Sequence, residues 1–326
     1  MLSLRVLATG KANPAIEVSS AELDKKLNRG SGFTQKKSGV VIRRFSAPNE
    51  SQSELAARAL TDAVRNAGIP SSSIDLLISA CGVQEQALPS TACAIGAHAN
   101  LSEGVPAFDI NASCLGFMMA LKVAASLLST GTYRRIAVVS ADQPSRGLDW
   151  DEPEASLIFG DGAAAVVLEK GNDQQGIRSF LFKTYVEGRQ FCEIRAGGTK
   201  CNPSKGAVDK DYLFRMNGKQ VLKLVSLKMP DFMNELMDQR GILLDSVDLV
   251  VPHQASHLGM AHMIKRIGLD PGRVVNIYET HGNQVAASIP TALHEAFATG
   301  RLRAGTRALM LGTAAGVSIG GLVLDI

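Results

Sequence analysis

The sequence predicts an α/β protein made of two similarly ordered halves, and three observations support this. Behind a helical stretch, Ile74-Asp75-Leu76-Leu77-Ile78 is echoed by Val247-Asp248-Leu249-Val250-Val251 behind another, at an offset of 173. Ser129-Thr130-Gly131 before strand Ile136-Val139 is matched by Thr299-Gly300 before strand Ala308-Leu311, at an offset of 169 for the threonine and glycine. Two echoes that keep order and spacing indicate a duplicated unit of about 170 residues. Third, Ile136-Ala137-Val138-Val139 and Leu309-Met310-Leu311 lack polar alternation, as in sheet covered by helices on both faces.

Each element follows from local chemistry. Residues 51–67 place Leu55, Ala56, Leu60 and Val64 on one helical face and stop at Gly68-Ile69-Pro70, ahead of a strand at 74–80. A helix over 115–128 precedes the strand at Ile136-Val139. A helix from about Lys219 to Arg240 ends at Gly241, and another over 286–298 precedes the strand at Ala308-Leu311. Phe159-Gly160-Asp161-Gly162-Ala163 and Gly316-Val317-Ser318-Ile319-Gly320-Gly321 each read as a glycine turn feeding a closing strand. The density of Gly, Lys, Asn, Asp and Pro over 171–215 places the excursion connecting the halves there.

Composition excludes several classes. With 45% hydrophobic and 20% charged residues in 326, the chain is neither disordered nor of low complexity. A net charge of +3 without a polybasic block gives no basis for a nucleic-acid or membrane-surface partner. Cys81, Cys93, Cys114, Cys192 and Cys201 are odd in number and lack CxxC spacing, which argues against a disulfide framework and a structural zinc site and fits a reducing compartment. The N-terminus lacks a signal pattern, and the apolar stretch Leu115 to Leu128 is short and broken by Lys122, so a soluble cytoplasmic protein is expected.

Three residues attract chemical interest. Cys114, in ASCLGF, stands where an apolar strand turns into a helix, a setting that lowers a thiol from about 8.5 towards roughly 3.5–7.5. His253, in VPHQA, ends a strand on the side where open α/β sheets place their ligands. Asn283, in HGNQVAASIP, ends a loop at the start of a helix. Taken singly, each has an ordinary structural role open to it: a small buried thiol, a satisfied core histidine and a helix N-cap.

Together, Cys114 in ASCLGF, His253 in VPHQA and Asn283 in HGNQVAASIP resemble the Cys-His-Asn triad of the beta-ketoacyl-acyl-carrier-protein synthase III family, within the thiolase superfamily. The resemblance spans nearly the whole chain and includes IFGDGA at 158–163 and the glycine-containing C-terminal turn. It implies a thiolase-like duplicated five-layered α/β/α/β/α fold, with a half over 1–170 carrying the nucleophile and a half over 171–326 carrying the histidine and asparagine. The implied activity is decarboxylative condensation of an acyl thioester with malonyl-acyl-carrier protein by a homodimer, with neither metal nor cofactor. Cys114 would hold the acyl group, His253 and Asn283 would stabilise the enolate, and the backbone N–H groups of Cys114 and Ala315 would form the oxyanion hole. Two alternatives stand beside this: acyl transfer through the same Cys-His pair without decarboxylation, and a noncatalytic partner subunit. Both glycine clusters precede strands, which disfavours a phosphate loop.

The sequence departs from the family where substrate is gripped. The segment that usually reads Trp-Ile-x-x-Arg-Thr-Gly-Ile is Phe33-Thr34-Gln35-Lys36-Lys37-Ser38-Gly39-Val40, so Phe33 replaces a stacking Trp and Lys37 a planar Arg fork. A second clamp arginine would fall near Pro153, with Arg146 and Trp150 nearby. The donor is therefore open between acyl-coenzyme A and acyl-carrier protein. Leu88 stands where many members put Phe against the neighbouring subunit's acyl pocket, which implies room for primers longer than acetyl. Glu85, in the same loop, is a surface acid or, as in some superfamily branches, a base. The other histidines are expected to be structural. Lys219, Lys223, Lys228 and Lys265-Arg266 form either a basic rim for an acidic carrier or plain solvated faces.

Overall fold

A computed structural model describes residues 1–326. Two five-stranded sheets organise the molecule. The first has Arg5–Ala12, Gly162–Glu169, Arg135–Asp142, Leu76–Ser79 and Ala107–Asp109 side by side in that order. The second has Leu2–Ser3, Gly176–Thr184, Ser318–Asp325, Arg307–Ala314 and Leu249–Pro252. Both repeat one pattern. Leu76–Ser79 runs parallel to Arg135–Asp142, as Leu249–Pro252 does to Arg307–Ala314. Gly162–Glu169 and Ser318–Asp325 then fold back antiparallel, and Arg5–Ala12 and Gly176–Thr184 complete the repeat.

Strand alternation assigns the layers. Leu76, Ile78, Ile136 and Val138 face inward onto helices Gly116–Ser129 and Ser288–Ala298, which on their other side meet Leu249, Val251, Met310 and Leu322 of the second sheet. Leu77, Ala137 and Val139 face outward under helices Gln52–Ala67 and Thr91–His98. Val250, Leu309 and Ile319 lie beneath helix Gly218–Asp238. The order is helix, sheet, helix, sheet, helix, the five layers expected from the resemblance. No helix is long and apolar enough to cross a membrane.

The repeat extends to individual polar contacts. Asp75 accepts the Arg135 N–H at 3.0 Å, and Asp248 accepts the Arg307 N–H at 2.7 Å. Glu169 at the end of one strand is held by Arg5 and Arg135, and Asp325 at the matching place by Arg178 and Arg307. These carboxylates neutralise arginines gathered at corresponding strand ends.

Two local expectations change. Within 171–215, Gly176–Thr184 is a full strand paired with Ser318–Asp325, so the irregular excursion begins only after it. The C-terminal glycine turn is also shorter than read: the strand starts at Ser318, and Gly320 and Gly321 lie inside it. A Cβ on Gly320 would sit 2.9 Å from Leu115 Cδ1, and one on Gly321 would strike Leu236, so these glycines admit helices from both sides. Turn chemistry and close packing select the same residue type, and the sequence alone does not separate them.

Gly10 lets strand Arg5–Ala12 lie against helix Gln52–Ala67, where a Cβ would run into the backbone of Ala59 and Ala63. Gly10→Ala is expected to lower stability by about 1–3 kcal/mol, read as a lower urea midpoint at unchanged slope. An unchanged midpoint would show that the helix retreats freely.

Candidate active site

Cys114 sits in the turn between strand Ala107–Asp109 and helix Gly116–Ser129. Ser113 before it adopts φ +50, its N–H held by Asn111 Oδ1 at 2.8 Å. Gly116 presses this turn onto the first sheet, where a Cβ would lie 3.0 Å from the Ala80 carbonyl oxygen. The sulfur faces two backbone N–H groups, its own and that of Ala315. Neither amide donates to a backbone carbonyl.

His253 follows strand Leu249–Pro252, and its N–H donates to the Leu311 carbonyl at 2.9 Å. Gly312 gives the ring room, since a Cβ there would stand 2.7 Å from His253 Cβ. Gln254 fixes the strand end by donating to the Pro252 and Val275 carbonyls, both at 3.0 Å. The imidazole is 4% exposed, and its Nδ1 is buried without a hydrogen-bond partner. Burial pushes it down to about 4, so it is neutral at neutral pH.

Asn283 is not the N-cap its position suggested. A 3-10 turn at Val285–Ala287 intervenes before helix Ser288–Ala298. The Asn283 carboxamide is anchored at both ends: Oδ1 accepts the Val285 N–H at 2.8 Å, and Nδ2 donates to the Ala255 carbonyl at 3.1 Å. One N–H of Nδ2 is left over. The backbone of Asn283 is tied to IFGDGA, with its N–H on the Ile158 carbonyl and its carbonyl on the Gly160 N–H. That motif is structural. Gly160 has no space for a Cβ against the His281 carbonyl, and Asp161 accepts the Ser46 and Ser145 N–H groups at 2.8 and 2.9 Å.

One cavity of about 2010 Å³ is lined by Cys114, His253, Asn283 and Ala315, and also by Phe33 and Lys37. Three distant stretches of chain thus converge on one space. Phe33 and Lys37 lie on the short helix Phe33–Ser38, with the Arg29 guanidinium 5.3 Å from the centre of the Phe33 ring. Leu88 does not line the cavity of its own chain and is 86% exposed. Glu85 lines it, its carboxylate 3.5 Å from the Ser53 N–H at the start of helix Gln52–Ala67. Arg146 lines the cavity and reaches the carbonyls of Ala47, Pro48 and Glu50, while Trp150 packs edge-on to Phe45 beneath Lys26. Of the basic residues considered for a rim, Lys219 lines the cavity, while Lys228 lies over Tyr185.

The thiol differs from expectation. Burial, with Asp142 and Cys192 nearby, pushes Cys114 up to about 12, although the Ala315 and Cys114 N–H groups act the other way. The helix begins at Gly116, two residues past the cysteine, and desolvation of the anion prevails. The resting pair is a neutral thiol and a neutral imidazole. Sequence reading also missed Asp142 and Cys192, both on the cavity wall. Asp142 ends strand Arg135–Asp142, so extending that strand past Val139 to its carboxyl end was the available signal.

Comparison with known proteins identifies the family. The model for the 3-oxoacyl-[acyl-carrier-protein] synthase III C-terminal region matches residues 237–326, and the model for 3-oxoacyl-[acyl-carrier-protein] synthase III matches 108–186. A beta-ketoacyl-[acyl-carrier-protein] synthase III of Coxiella burnetii is 31% identical over 327 residues, covering 100% of each chain. The chain belongs to the 3-oxoacyl-[acyl-carrier-protein] synthase III family. Another such synthase, from Rhodospirillum rubrum, is 32% identical over 94% of each chain. The crystal structure of the synthase III from Aquifex aeolicus superposes with a TM-score of 0.88 at 28% identity, covering 99% of this chain and 100% of that one. The synthase III fold is the thiolase-like one, and the protein is an acyltransferase-type condensing enzyme.

Because the folded thiol is pushed up to about 12, the thiolate fraction at Cys114 should keep rising about tenfold per pH unit beyond the point where an ordinary thiol near 8.5 levels off. Iodoacetamide alkylation followed by peptide mapping should therefore show the Cys114 rate still climbing between pH 9 and 10. A plateau below pH 7 would show instead a thiolate stabilised at rest.

Proposed function

We propose that this synthase III loads an acyl group onto Cys114 and condenses it with malonyl-acyl-carrier protein, releasing carbon dioxide. The observation carrying this reading is the convergence of Cys114, His253, Asn283 and the Ala315 amide on one cavity. In the first half-reaction the Cys114 sulfur attacks the donor thioester. The thiol proton goes to the departing carrier thiol, leaving acyl-Cys114. The tetrahedral oxyanion is met by the Cys114 and Ala315 N–H groups, which no backbone carbonyl occupies.

In the second half-reaction the malonyl carboxylate leaves as carbon dioxide, and its electron pair becomes an enolate on the thioester. The neutral His253 imidazole donates one N–H and the Asn283 carboxamide donates its spare one, and burial makes both donors strong towards developing negative charge. The enolate carbon attacks acyl-Cys114, the carbon–sulfur bond breaks, and the departing thiolate takes up one proton from solvent, the proton the overall condensation consumes. Asn283 distinguishes this course from acyl transfer without decarboxylation, which has no enolate to stabilise.

Substrate and assembly follow from the same surfaces. The cavity exceeds the roughly 300–1,000 Å³ of ordinary small-molecule sites, and Ile158, Phe159, Phe214 and Met216 on its wall suit primers longer than acetyl. Phe33, Arg29 and Lys37 suit the end of a carrier group at the opening, whether coenzyme A or carrier protein. A homodimer fits the outer strand Ala107–Asp109, which has a free edge and an exposed Phe108, and the exposed Leu88, which a partner subunit would cover.

Incubation with acyl-coenzyme A and acyl-carrier-protein donors of graded length, followed by intact mass and peptide mapping, should place the acyl group on Cys114 and favour chains longer than acetyl. Acetyl alone would overturn the chain-length reading, and label on another residue would overturn the assignment of Cys114. Asn283→Ala should still load acyl groups while carbon dioxide release from malonyl-acyl-carrier protein falls by a factor on the order of 10²–10³. Equal loss of both steps would remove Asn283 from the decarboxylation step.

A further inference from the structure

One buried carboxylate on the cavity wall is unused by this mechanism. Asp142 is 2% exposed and has no cationic partner; burial pushes its carboxyl group up to about 8, against the backbone donors from both halves of the molecule that meet it. Its Oδ1 accepts the Gly82 and Val83 N–H groups at 2.9 and 3.1 Å, and its Oδ2 accepts the Ala286 N–H at 3.1 Å. Ala286 directly follows Val285, a β-branched residue held at φ +52, where such side chains are rarely tolerated. Val285 packs on Gly82, where a Cβ would stand 2.5 Å from Val285 Cγ1. The N–H of this strained valine is the donor that holds Asn283 Oδ1.

We infer that Asp142 is a positioning residue for Asn283: its carboxylate ties the Gly82-Val83 turn to Ala286, and so holds Val285 in the conformation whose N–H orients the carboxamide. The inference rests on the proposed role of Asn283 in decarboxylation and adds a cause for its orientation. Strain persists only where the surroundings enforce it, and a carboxylate accepting from three fixed amides, with a glycine beneath, is such an enforcement. A shift of about 1 Å in a group that must meet a reacting atom costs on the order of 10²-fold in rate. Cys114 and the Ala315 amide belong to other turns; Asn111 links the Gly82 carbonyl to the Ser113 N–H, and Asp142 is among the groups that push the thiol up, so loss of the Asp142 charge eases loading while loss of the clamp impairs release.

The test is Asp142→Asn, which sets an NH₂ group against backbone donors. Carbon dioxide release from malonyl-acyl-carrier protein should drop on the order of 10²-fold, acyl loading of Cys114 should not fall because the variant removes a charge that pushes the thiol up, and amide hydrogen exchange should accelerate at residues 283–287 and 82–83. Equal loss of both half-reactions, or unchanged exchange at 283–287, overturns the inference. If Asp142→Asn does not fold, Gly82→Ala displaces Val285 sterically and should reproduce the selective loss, with Gly82→Ala/Val285→Ala restoring release. No loss with Gly82→Ala, or loss without rescue, overturns it equally. A wild-type protein that neither loads acyl groups nor releases carbon dioxide would sink the proposed function, while the exchange measurement would still decide the clamp.

Discussion

The site depends on two helices sharing one apolar layer between two sheets. Helices Gly116–Ser129 and Ser288–Ala298 meet inward-facing residues of both sheets in a single cluster of 30 buried residues, so neither half can bury its inner face without the other. At roughly 1.5–3 kcal/mol for each large aliphatic or aromatic side chain removed from water, residues such as Phe117, Leu121, Ile289 and Leu293 supply far more than any polar contact in the site. Cys114 stands just before the first of these helices and Asn283 shortly before the second. Packing the helices together brings a thiol and a carboxamide separated by 168 intervening residues to the same cavity.

That packing also sets the electrostatics. Cys114 is half-buried and His253 buried, and desolvation keeps both neutral: the thiol is pushed up to about 12 and the imidazole down to about 4. Around the same cavity stand two backbone amides that no backbone carbonyl occupies and a carboxamide with one N–H to spare. Such a site is poorly suited to storing an anion at rest and well suited to a reaction in which negative charge appears on substrate oxygen, because fixed dipoles in a low-dielectric space need no reorganisation. Asp142 fits beside them because its oxygens are occupied by backbone amides rather than turned towards the substrate.

Duplication of the halves was legible because it leaves local marks. The aspartates of Ile74-Asp75-Leu76 and Val247-Asp248-Leu249 each accept the N–H of an arginine that begins the neighbouring strand, which is why the echo survives in sequence. The strand Gly176–Thr184 was hidden because Lys, Asn, Asp and Gly on its flanks look like linker, and its place depends on pairing with residues beyond 317. Asp142 was hidden for a related reason: its three donors come from positions 82, 83 and 286, and no local pattern announces such a set.

Local sequence determined the helix and strand identities, the repeat and the three chemically distinctive side chains, because periodicity, glycine stops and rare motifs act over a few residues. Only the tertiary structure decided the protonation state of the thiol, the backbone strain at Val285 and the anchoring of Asn283. Those properties depend on how much water and which distant amides surround a group, and both are fixed only when the two sheets close on their shared helices.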